Sequence, residues 1–420
     1  MLKLILGNFI SRMLTAVLNF GTIILISRKL GPEGKGLSAL ILLTLVSVQM
    51  ICDFAGGAAL VYWSPRYRLR SLLLPIWTWT FLCSIGLFIW LQFETTHLLY
   101  GTALQATALC FINASFSHHI HLLNGRQQFK TTALILLVQS AVTLGCTLLF
   151  LLDRPEVFDY FYALLISWSI SWLSSLFFLW KTRDTALPSF DIKSHAKKLF
   201  GNGLQNQMGH VLQFLNQRVF YLFIPAYTLG IFSNAVALGE SIWMIAGSIA
   251  TIQYGKIANM SNHHEAALLS ARLFRTSIWL SLFAVIVVAC IPGGFYELIF
   301  GFAFVNVKSS LLGLLPGVVF LAGYLILGHY FSGTGRFFRN NISIFAGVLA
   351  TFTGFALYHV IAGIKPDEII ASRITSVANA SICISAMWQF KSDSGLSWRE
   401  LFPTFSDLYN LRHWLRNSSL

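Results

Sequence analysis

Apolar runs of about twenty residues alternate with short polar connections along the whole chain. Each run has the length that an α-helix needs to cross the hydrocarbon core of a bilayer, and none shows the strict alternation of a barrel strand. The pattern therefore predicts twelve membrane-spanning helices. They are placed near residues 5–27, 37–62, 72–91, 99–121, 132–152 and 160–180, and then near 204–224, 231–255, 272–291, 309–331, 341–362 and 369–390.

Composition excludes a water-soluble protein. Hydrophobic residues make up 56% of the chain and charged residues only 11%, whereas soluble proteins carry about 25% charged residues. In lipid the backbone must be hydrogen-bonded within the protein, which favours helices. Asn8, Arg12 and Asn19 interrupt the first apolar segment, so it is interpreted as a working span rather than a cleaved signal.

The basic residues predict the orientation. Of the 29 lysines and arginines, three fall within spans and six fall on one side of the membrane, and the others fall on the opposite side. The three are Arg12, Arg218 and Arg373, and the six are Arg28, Lys29, Lys35, Arg154, Lys308 and Lys365. The positive-inside rule then places both termini in the cytoplasm. Since the basic residues are scattered over many short loops, nucleic-acid binding is not expected.

A polar stretch between the sixth and seventh spans divides the chain into two six-helix halves. The predicted parts are an N-terminal bundle (1–180), a cytoplasmic linker (181–202), a C-terminal bundle (203–390) and a cytoplasmic amphipathic tail (391–420). Leu30-Gly31 and Leu229-Gly230 are interpreted as equivalent ends of the first and seventh spans, so the halves would be parallel repeats. The tail is interpreted as a surface anchor, with a partner-binding helix as the alternative.

Two spans carry polar residues along one face. In the first span these are Asn8, Arg12, Thr15, Asn19 and Thr22, and in the seventh they are Asn206, His210, Gln213 and Gln217. Steps of three and four residues place each set on one side of its helix. Because polar groups in lipid mark an interior path by default, the stripes predict a hydrated cavity between the halves. Hydrogen bonding between helices without a cavity is the alternative.

The charges within the spans indicate an anionic ligand. Arg12 and Arg218 are costly to bury in lipid, and within the spans the acids are Asp53, Glu240 and, at an edge, Glu368. A cavity with unpaired guanidinium groups would suit phosphate or pyrophosphate, since guanidinium donors match phosphate oxygens in pairs.

The chain has no motif typical of an enzyme or of a cofactor site. It lacks nucleotide-binding, nucleophile-elbow and zinc-protease patterns. His118, His119 and His121 have no carboxylate or thiol nearby in sequence, so no metal is expected. The six cysteines are interpreted as small apolar residues of the helices.

Several segments resemble the polysaccharide (O-antigen type) flippase family of the multidrug/oligosaccharidyl-lipid/polysaccharide exporter superfamily. The resemblance covers about residues 5–390, and its motifs are individually loose but fall in the family's order. They are Arg28-Lys29-Leu30-Gly31-Pro32-Glu33, Cys52-Asp53-Phe54-Ala55, the stretch from Gly203 to Ala258 with Asn216-Gln217-Arg218, and Ile299-Phe300-Gly301-Phe302-Ala303-Phe304. One departure is Val219-Phe220 after Arg218, where the family often carries an acid.

The resemblance implies a V-shaped, twelve-helix transporter of the bacterial inner membrane with a central basic cavity. It would flip an undecaprenyl-pyrophosphate-linked oligosaccharide outward by alternating access, in contact with membrane lipids and with other polysaccharide-assembly proteins. The expected substrate-binding residues are Arg12, Asn19, His210, Gln213, Asn216, Gln217 and Arg218, and ion coupling would fall to Asp53 or Glu240. A drug or metabolite exporter and a membrane-embedded glycosyltransferase are the alternatives.

Overall fold

The computed structural model describes residues 2–55, 57, 60–94, 97–152, 155–181, 188–189, 207–257, 260 and 262–404. Within this part of the chain all regular structure is helical. Nine of the described helices are long and apolar enough to cross a membrane. The prediction of an all-α, multi-pass membrane protein is therefore confirmed.

The chain divides into two compact units, Met1–Val211 and Leu212–Leu420. The boundary falls within α7. Of the predicted linker (181–202), only residues 181, 188 and 189 are described. Of the predicted tail (391–420), residues 391–404 are described and 405–420 lie outside the described residues.

In the described part of unit 1 before α7 there are five long helices and one short one. They are α1 (Leu2–Cys52), α2 (Leu60–Trp63), α3 (Leu69–Phe93), α4 (Ala103–Gly125), α5 (Phe129–Phe150) and α6 (Val157–Lys181). The helix α7 (207–218) follows and continues as a 3-10 turn, Val219–Leu222. In unit 1, α1 packs against α5 and α4 packs against α3 and α6.

Unit 2 is built around one central helix. Its helices are α8 (Ala226–Ile257), α9 (His263–Cys290), α10 (Gly293–Phe300), α11 (Val307–Gly333), α12 (Phe337–Ala362), α13 (Glu368–Ser394) and α14 (Trp398–Leu401). The apolar helix α11 is the most buried of the candidate spans and packs against α8, α9 and α13. A helix that is apolar all round is expected in such a central position.

Each of the twelve predicted spans corresponds to a described helix or helical arm. The first two are the two arms of α1, which is broken at Gly31, where φ is 67° and ψ is −175°. A positive φ favours glycine, which has no Cβ, and Pro32 then starts the second arm, where a missing N–H is tolerated. The motif Leu30-Gly31-Pro32 therefore accounts for the break in α1.

The interpretation of Leu229-Gly230 as the end of the seventh span is wrong. The helix α7 stops at Arg218, the 3-10 turn ends at Leu222, and α8 begins at Ala226. The second break is set instead by Pro225, whose ring favours the first turn of a new helix. Leu229 and Gly230 lie inside the first turns of α8.

Close packing of α11 on α13 depends on Gly317. A Cβ built at this position would lie 2.5 Å from the Cα atom of Ser376, closer than any real contact. The backbone N–H of Gly317 also donates a hydrogen bond to Ser376 Oγ at 3.1 Å, and Ser376 Oγ donates to the carbonyl of Gly313 at 2.6 Å. Small residues permit this close approach between membrane helices.

Replacing Gly317 by Ala is expected to lower the thermal unfolding temperature of the detergent-purified protein, because α11 and α13 must separate. Overpacking of this kind costs about 1–3 kcal/mol. Gly247→Ala is the matched control, since a Cβ at Gly247 meets nothing within 4 Å. Equal unfolding temperatures for the two variants would contradict the packing interpretation.

Candidate functional site

A polar cavity of about 360 Å³ lies within unit 1, between the two arms of α1 and the helices α5 and α6. Thr15, Asn19 and Thr22 of the first-span stripe line one wall. Gln139, Ser140 and Thr143 of α5 face them, and Tyr160 of α6 contributes a phenol group. Three residues of the predicted stripe therefore line one and the same cavity. The side chain of Arg12 lies outside the described part.

The cavity contains a buried cation that sequence reasoning placed elsewhere. Lys35, assigned to an outer loop, lies in the second arm of α1, is 7% exposed and lines the cavity. The helix restarts directly after Gly31, so Lys35 turns into the bundle instead of standing in a loop.

The lining of this cavity is rich in hydroxyl and amide groups and carries one positive charge. None of its described lining residues is an aspartate or glutamate. Hydroxyl and amide groups both donate and accept hydrogen bonds, and a lysine ammonium is a compact donor for phosphate oxygens. The cavity can therefore hold a neutral polyol or an anion more readily than a cation.

In unit 2 the predicted binding residue Arg218 is paired. Its guanidinium contacts the Glu240 carboxylate of α8 and donates a hydrogen bond to Tyr221 Oη at 2.5 Å. The side chains of Arg218 and Glu240 are 25% and 33% exposed. The expectation that this guanidinium is unpaired is therefore wrong, because the sequence separation of the two residues hides their contact across α7 and α8.

The neighbouring polar residues of α7 divide into two groups. Asn216 is fully buried, and its side chain donates to Asn379 Oδ1 at 3.2 Å and accepts from Thr351 Oγ1 at 3.0 Å. Gln217 lines a small cavity of about 40 Å³, together with Glu240. For Asn216 the structure thus shows the interhelical hydrogen bonding that was the alternative to a hydrated face. Gln213 is half-buried.

Asp53 of unit 1 lies beside an imidazole. Its Oδ1 is 3.2 Å from Nε2 of His118 on α4, and both side chains are buried. His121 and His210, which is exposed on α7, are within electrostatic reach of the same carboxylate. The histidines of α4 therefore have a carboxylate nearby in space, although none is near in sequence. No group of three or more potential metal ligands occurs within the described ranges.

Lys35, Gln139 and Tyr160 were missed as candidate site residues. The signal for Gln139 was present, because Gln139, Ser140 and Thr143 are polar residues on neighbouring faces of a predicted span. The position of Lys35 depends on the direction of the second arm of α1, which sequence spacing does not encode.

No protein-family model and no curated protein sequence matches the chain. Several solved structures, however, are similar to the chain. The chain is similar to the lipid II flippase MurJ in an inward closed conformation, with a TM-score of 0.74 and 13% identity over 94% of this chain and 90% of that one. It is also similar to an inward-facing multidrug resistance transporter of the MATE family, with a TM-score of 0.70 and 16% identity over 91% and 94% of the two chains.

A third similar structure is a transporter from Pyrococcus furiosus described as having a binding pocket of reversed polarity, with a TM-score of 0.62 and 14% identity over 93% of both chains. The MATE transporter and the Pyrococcus furiosus transporter are both described as members of the MOP superfamily. The chain therefore has the fold of these transporters and of this flippase.

The Arg218–Glu240 pair is expected to show strong coupling in a double-mutant cycle. Arg218→Gln alone leaves a half-buried carboxylate without its cation and is expected to lower the unfolding temperature of the purified protein. Adding Glu240→Gln removes the stranded charge and should recover part of the loss. Additive losses in the double variant would contradict the pairing.

Proposed function

We propose that this chain is a flippase that moves an undecaprenyl-pyrophosphate-linked oligosaccharide from the cytoplasmic to the outer leaflet of the bacterial inner membrane. It would work by alternating access, with both termini in the cytoplasm. The substrate class is an O-antigen or exopolysaccharide repeat unit.

The observation that carries this proposal is the chemistry of the unit 1 cavity. Saccharides are bound by hydroxyl and amide groups, and Asn19, Gln139 and Tyr160 supply them next to the Lys35 ammonium. A pyrophosphate brings negative charge, which Lys35 compensates. A cationic drug would need a carboxylate, and the described lining of the cavity has none.

The similarity to the lipid II flippase supports the same substrate class. Lipid II is named as the substrate of a protein that shares this fold over 94% of the chain. The shared fold makes a lipid-linked substrate a natural candidate for this chain as well.

The predicted binding residues take different parts in this proposal. Asn19 contacts the sugar hydroxyls from the wall of the unit 1 cavity. Arg12, His210, Gln213 and Gln217 are kept as proposed ligand contacts on the basis of the sequence. Arg218 reaches the pyrophosphate only when the ligand competes with Glu240 for its guanidinium. Asn216 supports the path from within the hydrogen-bonded network of unit 2.

Coupling to an ion falls to Asp53 in this proposal. Its carboxylate is buried 3.2 Å from the His118 imidazole, and acidic and histidine side chains inside membrane proteins commonly mark ion and proton pathways. Glu240 remains a second candidate, since its carboxylate lines a cavity beside Gln217. Other polysaccharide-assembly proteins are the expected partners, because a flipped repeat unit must be polymerised or transferred outside.

Export of a drug or metabolite is the second candidate function, favoured by the similarity to MATE transporters. In unit 2 the candidate cation ligand is Glu240, but Arg218 already neutralises it. The adjoining cavity of about 40 Å³ holds little more than one or two water molecules.

Replacing Lys35 by Gln is expected to reduce surface polysaccharide about tenfold in cells that depend on this protein, because a charge-assisted contact of about 1.5 kcal/mol or more is lost. Gln139→Met should also reduce surface polysaccharide, because methionine has a similar shape to glutamine but lacks its amide group. Lys29→Gln is the matched control, since Lys29 is an exposed lysine of the same helix. Membrane abundance is measured for every variant.

Wild-type polysaccharide in both cavity variants at normal abundance would contradict the proposed site. Accumulation of lipid-linked repeat units on the inner leaflet in the affected variants would identify translocation as the failed step. Loss of drug resistance with intact polysaccharide would favour the exporter instead.

Asp53→Asn is expected to make translocation in proteoliposomes insensitive to an imposed pH gradient, because the exchangeable proton is removed while the side chain keeps its shape. Glu33→Gln, which changes an exposed acid of α1, is the control. An unchanged response to the gradient in Asp53→Asn would exclude this carboxylate as the coupling group.

A further inference from the structure

A second cavity, of about 560 Å³ and open to the surface, lies in unit 2 where α11 ends, α12 begins and α13 ends. Gly335, Arg336, Phe338, Arg339, Ser392 and Asp393 line it. The transport proposal uses none of these residues. Two arginines and one aspartate give the lining a formal charge of +1.

The aspartate holds the two arginines in place. The side chain of Asp393 is 2% exposed, contacts the Arg336 guanidinium and lies 3.4 Å from Arg339 Nε. Tyr330 Oη donates to its other oxygen at 2.9 Å. Arg339 Nη1 donates to the carbonyl of Gln389 at 3.0 Å. A buried carboxylate saturated in this way fixes both guanidinium groups at the mouth of the cavity.

The fixed guanidinium groups retain donors for a ligand. The contacts above use Nη1 of Arg336 and Nε and Nη1 of Arg339. Nε and Nη2 of Arg336 and Nη2 of Arg339 make no described contact within the protein, and the two side chains are 36% and 34% exposed. Two adjacent arginines that present several N–H groups match the oxygens of a phosphate group.

An apolar stripe on α12 starts at the same cavity. Its members are Phe338, Ile342, Phe345, Leu349 and Phe352, which are between 38% and 77% exposed. Steps of four and three residues place them on one face of the helix. A ligand with a phosphate at the arginines would therefore have a continuous apolar surface for a chain running along the span.

We propose that this cavity, here named the Arg336–Arg339 cavity, binds the headgroup of an anionic bilayer phospholipid whose acyl chain lies along the α12 stripe. Juxtaposition of a basic pocket and a lipid-facing helix is a recurrent way to hold such headgroups. The net charge of +1 favours phosphatidylglycerol over zwitterionic phosphatidylcholine. The proposal is independent of the substrate that the protein moves.

The test measures lipids retained by the full-length, detergent-purified protein, by native mass spectrometry during titration with phosphatidylglycerol or phosphatidylcholine. The wild type is expected to retain phosphatidylglycerol at lower lipid concentration than phosphatidylcholine. Arg336→Gln and Arg339→Gln should each weaken phosphatidylglycerol binding about tenfold, the effect of losing a charge-assisted contact. Arg272→Gln, which changes an exposed arginine of α9, should leave binding unchanged.

Asp393→Asn separates lipid binding from a purely structural role. The asparagine keeps the shape of the side chain and an acceptor for Tyr330, but it removes the negative charge beside the two arginines. Phosphatidylglycerol binding should then strengthen, although the unfolding temperature falls. If the cluster only joins helix ends, Asp393→Asn and Arg336→Gln will both lower stability and neither will change lipid retention, which would overturn the proposal.

Competition identifies the source of the phosphate group. Inorganic phosphate at millimolar concentration should leave phosphatidylglycerol bound, because it has no acyl chain to occupy the α12 stripe. Full displacement by inorganic phosphate would replace the lipid site with a soluble-anion site. A third outcome is that undecaprenyl pyrophosphate displaces bound phosphatidylglycerol at a lower concentration than added phosphatidylglycerol does. That result would assign the cavity to the transported lipid and would also overturn the proposal.

Discussion

The structure depends on one constraint: in hydrocarbon there is no water to pair with, so a polar group within a span must find its partner in the protein. Serine and threonine side chains within the helices meet this requirement repeatedly by donating to the carbonyl four residues earlier, as Ser38 does to Gly34 and Thr147 to Thr143. Larger polar groups need partners on other helices. Asn216 hydrogen-bonds with Asn379 and Thr351, and Arg218 pairs with Glu240.

The same constraint separates polar residues that support the fold from those that are available to a ligand. Asn216 satisfies its amide within unit 2 and is fully buried. The residues around Lys35 instead line an internal space of about 360 Å³. Polar side chains that surround a cavity in a membrane protein cost insertion free energy, and in the proposed function a ligand of matching chemistry offsets this cost. Hydroxyl and amide groups beside a single ammonium match a phosphate-linked saccharide.

Much of the fold follows from the sequence because the length and apolarity of a span are local properties. The break at Gly31-Pro32 is also local, since a glycine with positive φ followed by proline ends one helix and starts the next. Contacts between distant residues are not local. The pairing of Arg218 with Glu240 joins two helices. Lys35 turns inward only because the second arm of α1 takes its direction from the break. The similarity of Leu229-Gly230 to Leu30-Gly31 predicts an end of the seventh span that the structure does not have. Polarity within spans predicted a cavity between the halves; the described cavity that Thr15, Asn19 and Thr22 line lies within unit 1, where α5 and α6 supply the other walls.

In the proposed function the protein moves a lipid-linked saccharide whose phosphate group is compensated by Lys35 in the unit 1 cavity. The most direct measurement reconstitutes the purified chain in liposomes with a fluorescently labelled undecaprenyl-pyrophosphate oligosaccharide in one leaflet, and follows its accessibility to a membrane-impermeant quencher. We expect transfer between leaflets that is much faster than in protein-free liposomes and that slows when Lys35 is neutralised. Transfer no faster than in protein-free liposomes, in a preparation that instead accumulates cationic dyes, would contradict the account.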